Sequence, residues 1–328
     1  MAGNPWDIGD EMTPNTKVVI EEFKSRGIDV TLLDGEQGLF IADIKGRKHY
    51  FHESLGPTVS APTVLVTGNK YVTSQLARSF GFSVPENCIV EKISEAIPFL
   101  AKHLKLVAKP LVGEMGQDVV VGIESEAELN RTLQSLSGPT LIERYVRGKD
   151  VRALVIGYKF CAALERTPAL VIGDGISTVR QLIEQRNRDI RKIDPTAGIP
   201  FDSETLRVLN KQGVGLESVL QTGREIFARL TANFHTGGTI RDVTEELGEA
   251  LKKTAEQLAL AFRIPVVGID FCLPDLRTSD YWLIELNERP NLAFHMTPEK
   301  GKPRNTAKVF ADHILCELGN GGENIPNQ

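Results

Sequence analysis

The sequence Ile-Pro-Val-Val-Gly-Ile-Asp-Phe at residues 264–271, followed by Tyr-Trp-Leu-Ile-Glu-Leu at residues 281–286, decides the fold of this chain. Both runs are short, apolar and rich in β-branched or aromatic residues, which is typical of buried strands. Pro274 and Asp275 lie between the two runs, at a position that favours a turn. We therefore predict two neighbouring strands, each with polar side chains near its end.

Asp270, Glu285 and Asn287 are the polar side chains that these two strands carry. Glu285 and Asn287 are two residues apart, so on a strand both side chains point to the same face. Pairing of the strands would bring Asp270 alongside them. Three hard oxygen ligands at one point suit Mg²⁺, with phosphates and waters completing its octahedron. The alternative, from the residues alone, is a pair of polar strand ends that face solvent.

The composition is that of an ordinary globular protein. The chain has 328 residues, of which 41% are hydrophobic and 25% charged, so it is long enough for two or three subdomains. Its formal net charge is −5 and its basic residues are scattered. This distribution provides no electrostatic footprint for nucleic acid or an anionic membrane, so we expect neither as a partner.

The N-terminus and the cysteines indicate the compartment. The first residues are polar and acidic, and no apolar run approaches ~18 residues, the length of a membrane span. The cysteines lie far apart with no Cys-x-x-Cys pair, which is typical of reduced, mostly buried thiols. They are Cys88, Cys161, Cys272 and Cys316. We therefore predict a cytoplasmic protein.

Residues 1–87 form the first predicted unit. The pattern indicates a helix, three strands, a further strand and a second helix that ends at Gly81. The predicted helices cover residues 16–26 and 69–80, and the predicted strands cover residues 28–33, 39–44, 48–52 and 64–67. Proline and polar residues at 83–86 break this pattern and mark a boundary.

Two further units and a tail follow. Residues 88–150 are predicted as a compact α+β unit, in which Ser125 begins a helix. Residues 151–318 form the predicted C-terminal α+β unit, and the apolar spacing over residues 247–262 is that of one helical face. Residues 319–328 are rich in Gly, Asn and Pro, so we predict a disordered tail.

A lysine at a strand end precedes a turn with two glycines. Lys109 is followed by Gly113 and Gly116, and a second strand begins at Val119. Glycines let backbone N–H groups approach phosphate oxygens closely, while the lysine supplies a point charge. No Gly-Lys-Ser/Thr sequence follows, so this is not a Walker A loop. The alternative is an ordinary structural hairpin.

The stretch Leu-Ile-Glu-Arg-Tyr-Val-Arg-Gly-Lys-Asp at residues 141–150 is predicted as a strand that ends in a connector. The backbone groups of such a connector could bind an adenine ring, and the carboxylate of Asp150 could bind ribose hydroxyls. The alternative is a surface turn.

In their order along the chain, these motifs resemble the ATP-grasp superfamily of carboxylate–amine ligases, across roughly residues 60–310. Lys70 comes first, followed by Lys109, the glycine hairpin, the connector and the two acidic strands. The similarity is greatest to the ATP-grasp domains of cyanophycin synthetases and of bifunctional glutathione synthetases. The resemblance implies an ATP-grasp fold with a small N-terminal unit, a mobile α+β lid and a C-terminal α+β subdomain.

The resemblance also implies a role for individual residues. Those implied to bind ATP are Lys70, Lys109, Gly113, Gly116, Glu143, Arg144, Val146 and Asp150. Those implied to bind two Mg²⁺ ions are Asp270, Glu285 and Asn287. The implied catalytic residues are Arg229 and Asn233, and the implied substrate contacts are Gly237, Gly238, His295 and Arg304. For His295, a purely structural role is the alternative.

The implied reaction joins a small-molecule carboxylate and an amine through an amide bond. The carboxylate attacks the γ-phosphate of ATP, and the amine then displaces phosphate from the acylphosphate, so that ADP and phosphate are released. The implied cofactors are ATP and Mg²⁺, with Mn²⁺ as a substitute. Because water would destroy the acylphosphate, we expect the lid to close over it. We also expect a homo-oligomer.

Two other functions stay open at this point. One is a ligase that modifies a protein C-terminus or side chain, and the other is a catalytically inactive ATP-binding regulator. The chain matches neither the Mur-ligase-like domain of cyanophycin synthetases nor the glutamate–cysteine ligase domain of the bifunctional enzymes. This difference favours a stand-alone ligase that acts on amino acids or a dipeptide.

Overall fold

The structure, a computed structural model, describes residues 12–113, 118–136, 138–192 and 194–319. No helix within these ranges has the length and apolar character needed to cross a membrane. Part of the predicted disordered tail, residues 320–328, lies outside the described residues, and Gly319 is the last residue of a helix.

The N-terminal unit is a helix on a small antiparallel sheet. Its elements are α1 (Pro14–Ser25), β1 (Asp29–Asp34), β2 (Leu39–Ile44) and β3 (Arg47–His52), with strand order β1-β2-β3. These elements confirm the predicted helix and the three predicted strands. Phe23, Phe40 and Phe51 fill the space between helix and sheet, with ring centroids 5.1–6.3 Å apart. Their burial anchors the unit to the rest of the chain because Phe310, from the last helix, stacks on Phe23.

The predicted strand at residues 64–67 is wrong, because this segment is a helix. Helix α2 (Ala61–Gly68) precedes α3 (Lys70–Ser79), which confirms the second predicted helix. The side chain of Ser60 accepts a hydrogen bond from the backbone N–H of Thr63 and so caps α2. A proline in the first turn of α2 is also favourable, because a backbone N–H at that position would have no hydrogen-bond partner within the helix.

Residues 87–144 form a second unit with its own sheet. Its elements are β4 (Asn87–Val90), α4 (Ile93–His103), β5 (Leu106–Pro110), β6 (Val120–Ile123), α5 (Glu126–Ser135) and β7 (Thr140–Arg144). The strand order is β4-β7-β5-β6, so β6 is an edge strand. Both helices pack on one apolar core, and the Ser125 side chain caps α5 as predicted.

A five-stranded antiparallel sheet forms the centre of the molecule. Its strands are β8 (Lys149–Ile156), β9 (Lys159–Thr167), β12 (Thr239–Asp242), β13 (Val266–Leu273) and β14 (Trp282–Asn287), in the order β12-β9-β8-β13-β14. Helix α8 (Glu249–Ala261) covers one face together with α2 and α3. The N-terminal unit, α9 (Ala293–Met296) and α10 (Thr306–Gly319) cover the other. The two strands predicted from the acidic motif are therefore confirmed as neighbours in this sheet.

A third group of elements lies between β9 and β12. It contains β10 (Leu170–Ile172), α6 (Val179–Ile190), α7 (Ser203–Lys211) and β11 (Glu225–Phe227) around a separate apolar core. We call these residues, 169–228, the inserted unit. The sequence did not indicate α7, which is short and whose apolar side is limited to a few residues such as Val208 and Leu209. The predicted boundaries at residues 87, 150 and 318 stay predictions.

Candidate active site

Strand pairing brings the three predicted metal ligands together. In the β13–β14 pair, Asp270 lies opposite Glu285, and Gly268 lies opposite Asn287. Residues directly opposite one another on antiparallel strands have side chains on the same face, about 4.5–5.5 Å apart at Cβ. The predicted juxtaposition of Asp270, Glu285 and Asn287 is therefore present, at the end of β14 that continues into Pro290.

The carboxylate of Asp270 is buried and binds two arginines. Its Oδ1 accepts from Nε of Arg152 at 2.6 Å, and its Oδ2 accepts from Nη2 of Arg152 at 2.7 Å and of Arg166 at 2.8 Å. Asp270 is only 3% exposed. Burial alone would raise its pKa, but the two guanidinium groups outweigh that effect and lower the pKa to about 2. The carboxylate is therefore ionised at neutral pH, as a metal ligand must be.

Arg152 and Arg166 are site residues that the sequence reasoning missed. Arg152 lies opposite Asp270 on β8, and Arg166 lies opposite Asp150 on β9. Nε of Arg166 also donates to Oδ1 of Asp150 at 2.6 Å, so the two acids and two arginines alternate in one network. An arginine inside the apolar run Val-Arg-Ala-Leu-Val-Ile was the available signal, because an unpaired charge is seldom buried in a strand.

Lys70 connects the acidic strands to the glycine hairpin. Lys70 is the first residue of α3. Its Nζ lies 3.1 Å from Oε1 of Glu285 and also donates to the carbonyl of Gly113 at 2.5 Å. Its backbone N–H donates to the carbonyl of Leu111 at 2.9 Å. A cation, a carboxylate and the start of a glycine hairpin therefore meet at one point. Gly116, the second glycine of the predicted turn, lies outside the described residues.

Lys109 and Glu143 form a buried ion pair. Nζ of Lys109 lies 2.6 Å from Oε2 of Glu143, and both side chains are only 6% exposed. The contact arises because β5 and β7 are adjacent, with Val107 opposite Glu143 and Lys109 opposite Leu141. Two residues that the resemblance places at the phosphates and at adenine thus neutralise each other across the sheet.

The connector after β7 is held by both neighbouring units. The backbone N–H of Arg144 donates to the carbonyl of Glu86 at 2.9 Å, and its guanidinium lies 4.6 Å from the ring centroid of Trp282. The carbonyl of Val146 lies 3.8 Å from the thiol of Cys272, which is a weak hydrogen bond. The connector therefore passes Trp282 of β14 and Cys272 of β13 before β8, where Asp150 pairs with Arg166.

Comparisons with known proteins agree with this geometry. No family model matches the chain. It is 30% identical over 318 residues to a cyanophycin synthetase of Geminocystis herdmanii, covering 92% of this chain and 36% of that protein. It is 28% identical over 323 residues to the bifunctional glutathione biosynthesis protein of Clostridium perfringens, covering 93% of this chain and 41% of that protein. The chain thus spans about two fifths of the length of these relatives.

Solved structures decide the fold. A bifunctional glutathione synthetase from Pasteurella multocida matches with a TM-score of 0.64 and 24% identity, over 94% of this chain and 44% of that one. A peptide-associated ATP-grasp ligase of Chryseobacterium gregarium matches with a TM-score of 0.50 and 16% identity, over 95% of both chains. The chain has the ATP-grasp fold. The predicted fold class and the predicted similarity to cyanophycin synthetases and bifunctional glutathione synthetases are therefore confirmed.

The predicted catalytic residues Arg229 and Asn233 make mainly structural contacts. Nη1 of Arg229 binds both carboxylate oxygens of Asp202, at 2.6 and 2.8 Å. The side chain of Asn233 accepts from the backbone N–H of His235 at 3.0 Å and so caps a short 3₁₀ turn. Gly237 ends that turn with φ +95, a conformation that favours glycine. The catalytic roles predicted for Arg229 and Asn233 stay predictions.

Gly238 directly precedes strand β12, and Arg304 binds Asp242, the last residue of that strand. A Cβ atom on Gly238 would lie 2.8 Å from the carbonyl oxygen of Asn233, so the backbone here is too close for a side chain. The guanidinium of Arg304 binds Asp242 at 3.1 and 2.7 Å and approaches Glu245 at 3.3 Å. An incoming substrate carboxylate would therefore compete with Asp242 for Arg304. The substrate contacts predicted for Gly237, Gly238 and Arg304 stay predictions.

His295 is enclosed in the protein. The residue is fully buried, and neither ring nitrogen has a hydrogen-bond partner among the described residues. Burial lowers its pKa from 6.5 to about 3, with a smaller contribution from the nearby charge of Arg152. The imidazole is therefore neutral at physiological pH. This environment suits the structural alternative, and the substrate contact predicted for His295 stays a prediction.

A His295→Leu variant is expected to be less sensitive to acid than the wild type. The folded-state pKa of His295 is depressed, so its neutral form contributes stability that is present above pH 6.5 and is lost as pH falls towards 3. Between pH 6.5 and 4.5 this group should cost the wild type about 2–3 kcal/mol of unfolding free energy. Urea unfolding at several pH values measures the unfolding free energy of both proteins. An equal decrease with falling pH in the wild type and in His295→Leu would contradict the prediction.

The oxygen donors of the acidic strands fit a hard divalent cation. Within residues 12–113, 118–136, 138–192 and 194–319, no group of three or more His, Cys, Asp or Glu side chains is arranged to hold a metal. Here the donors are instead the two carboxylates of Asp270 and Glu285 and the amide of Asn287. A carboxylate has about four acceptor positions, and Asp270 uses three of them. One acceptor position of Asp270 therefore remains for a cation.

Proposed function

We propose that this protein is an ATP-grasp ligase that uses ATP to join a carboxylate to an amine, with release of ADP and phosphate. The observation that carries the proposal is the position of Lys70, which contacts Glu285 of the acidic strands and Gly113 of the glycine hairpin. A metal-binding strand end and a phosphate-binding hairpin have to meet in this way if they serve one nucleotide. The names of the two sequence relatives, a synthetase and a biosynthesis protein, support a synthetic reaction.

In the proposed reaction, Asp270, Glu285 and Asn287 would hold Mg²⁺. When bound, the ion would neutralise charge on the ATP phosphates during transfer. Arg152 and Arg166 keep Asp270 ionised, which is the form that binds a cation. Two ions, and Mn²⁺ as a substitute, are part of the same proposal.

Lys70 and Lys109 would bind the ATP phosphates. Each lysine contacts a carboxylate in this structure, Glu285 for Lys70 and Glu143 for Lys109. A phosphate placed between the two lysines would be a second anionic partner for each ammonium group. The two ammonium groups would then stabilise the negative charge of the phosphate. Glu143 and the adjoining backbone would then bind adenine, and Asp150 the ribose.

The proposed chemistry has two displacement steps. A carboxylate oxygen of the first substrate attacks the γ-phosphorus, and the bond to the bridging oxygen of ADP breaks, which gives an acylphosphate. The second substrate's amine then attacks the acyl carbon, so phosphate leaves and the amine loses a proton. Amino acids or a dipeptide are the proposed substrates. Cytoplasmic location and a homo-oligomeric state are further proposals.

Incubation of the protein with ATP, Mg²⁺ and a panel of amino acids and dipeptides tests this function. We expect ADP and phosphate in equal amounts with an amide product. A carboxylate substrate labelled with ¹⁸O should pass one labelled oxygen to the phosphate, because its oxygen bridges to phosphorus in the acylphosphate. Formation of AMP and pyrophosphate would contradict the proposal. ATP binding without turnover across the panel would indicate a nucleotide-binding regulator instead.

A further inference from the structure

The N-terminal unit holds the segment that directly follows the acidic strands. We call residues 288–292, which join β14 to α9, the joining segment. Nδ2 of Asn15, on α1, donates to the carbonyl of Pro290 at 3.3 Å, and Oδ1 of the same side chain accepts from the backbone N–H of Leu292 at 2.8 Å. The hydroxyl of Ser54, which follows β3, donates to the Pro290 carbonyl at 2.6 Å. Two side chains of the N-terminal unit therefore bind the backbone of the joining segment.

These hydrogen bonds are buried. Asn15 and Ser54 are each 1% exposed, and Leu292 is fully buried. The carbonyl of Pro290 accepts from both side chains, so both of its lone pairs are used. A buried polar group that loses its partner is strongly unfavourable, because water cannot reach it to replace the bond. The contacts therefore favour one position of the joining segment over nearby ones.

Glu53 fixes the side chain of Asn15 in turn. Nδ2 of Asn15 also donates to Oε2 of Glu53 at 3.1 Å, and the hydroxyl of Thr13 donates to Oε1 of Glu53 at 2.6 Å. Glu53 has φ +52, a left-handed conformation that residues with a side chain seldom adopt. Oε2 of Glu53 also lies 3.8 Å from Nη1 of Arg289 in the joining segment. The amide of Asn15 thus cannot rotate without losing partners at both of its ends.

The joining segment begins where the pairing of the two acidic strands ends. The ladder between β13 and β14 ends with Gly268 opposite Asn287. The side chains of Glu285 and Asn287 share one face of β14, so a rotation of this strand end would move both of them. Mg²⁺ requires near-ideal octahedral geometry, with ligands at about 2.0–2.1 Å. A small displacement of this strand end would therefore weaken the binding of a cation.

We propose that Asn15 and Ser54 are positioning residues that hold the Asn287 end of β14 where its side chains meet a divalent cation. This inference rests on the proposed function, because it takes Glu285 and Asn287 as Mg²⁺ ligands. The N-terminal unit thus acts on the metal site through the backbone of the joining segment. Neither Asn15 nor Ser54 is assigned a contact with the ion, so their loss should weaken metal binding without removing a ligand.

Asn15→Leu and Ser54→Ala test this inference through metal binding, which needs no turnover. Mn²⁺ is the probe, and its binding in the presence of ADP is followed by electron paramagnetic resonance. We expect its dissociation constant to rise about tenfold in Asn15→Leu, which loses a buried donor and a buried acceptor. In Ser54→Ala the rise should be about threefold, because Asn15 still donates to the Pro290 carbonyl. Binding of ADP without metal should stay near the wild-type value in both variants.

Ile44→Val is the control for a general loss of stability in the N-terminal unit. Ile44 is 3% exposed and lies opposite Arg47, whereas His52 is at the other end of the β2–β3 pair, next to Glu53 and Ser54. Loss of a buried methylene group destabilises the unit but leaves the hydrogen bonds to the joining segment in place. Its Mn²⁺ dissociation constant should therefore equal that of the wild type. Equal constants in all three variants would overturn the inference.

Hydrogen exchange separates this inference from the proposed function. The amide of Leu292 loses its acceptor in Asn15→Leu, so it should exchange about tenfold faster there than in the wild type and in Ile44→Val. This measurement uses neither metal nor nucleotide. A wild type that binds no Mn²⁺ with ADP would contradict the proposed function. Unchanged exchange, or faster exchange with unchanged Mn²⁺ binding, would overturn this inference alone. If Asn15→Leu does not fold, exchange of residues 288–292 in Ser54→Ala decides the question.

Discussion

Glu285→Gln is expected to lower the rate of ADP release by about 100- to 1,000-fold, the range found when one preorganised electrostatic group is removed from an active site. The substitution removes a charge opposite Asp270 on the acidic strands and leaves the side chain's size unchanged. An amide oxygen binds a divalent cation more weakly than a carboxylate, so the Mg²⁺ concentration needed for half-maximal rate should also rise.

The fold should survive this change. The Glu285 side chain is 28% exposed, whereas that of Lys70 is 8% exposed and loses one anionic partner. Lys70 keeps its bond to the Gly113 carbonyl, so we expect a loss of only about 1–2 kcal/mol in unfolding free energy. Rates of ADP release across a Mg²⁺ series, with urea unfolding of the same samples, measure both effects.

Glu246→Gln is a suitable control for Glu285→Gln. Glu246 is a carboxylate that pairs with Arg241 at 2.5 Å and has no contact with the acidic strands. The same change of charge there should leave the rate of ADP release within about twofold of wild type, as is usual for surface positions. A Glu285→Gln protein as active as this control would show that Glu285 is not a metal ligand.

The sequence predicted most of the elements that build the site, because their patterns are local. Alternating or continuous apolar runs identified β13 and β14, and the two-residue spacing of Glu285 and Asn287 placed them on one face. For residues 64–67 the sequence pattern predicted a strand where the structure has a helix, because four residues are too few to show a helical period. The deciding signal was the cap at Ser60, which lies outside that run.

The partners of the charged residues could not be predicted from the sequence, because they depend on strand order. Lys109 meets Glu143 only since β7 lies beside β5, although α5 and β6 separate them along the chain. Arg152 likewise meets Asp270 across β8 and β13. Motif order thus predicted which residues form the candidate site, while the sheet topology determines which of them pair with one another.

Asp270→Asn is expected to destabilise the protein by about 3–5 kcal/mol, the cost of breaking a buried ion pair by removing one partner. Asp270 is 3% exposed, and the side chains of Arg152 and Arg166 are 16% and 14% exposed. An amide has a single oxygen to accept from three N–H donors, and its NH₂ group would face a guanidinium. Turnover should be lost as well, since a proposed metal ligand is removed.

Asp275→Asn provides the matched control for this stability effect. Asp275 lies in the turn between the same two strands, where its side chain accepts from the backbone N–H of Arg277 at 3.0 Å. The same change in this exposed turn should alter the unfolding free energy by less than about 1 kcal/mol. Urea unfolding at pH 7 compares the two variants with the wild type.

The pH dependence distinguishes loss of the Asp270 charge from a general packing defect. The folded-state pKa of Asp270 is about 2, below its ordinary value of 3.8, so its ionised form contributes stability that is present above pH 3.8 and is lost as pH falls through 2. The wild type should lose about 2–3 kcal/mol from this group across that window, whereas Asp270→Asn has no such loss. The stability difference between them should therefore shrink from pH 5 to pH 2.5. A constant difference would show that the arginine pairs contribute little, and that Asp270 is held by packing alone.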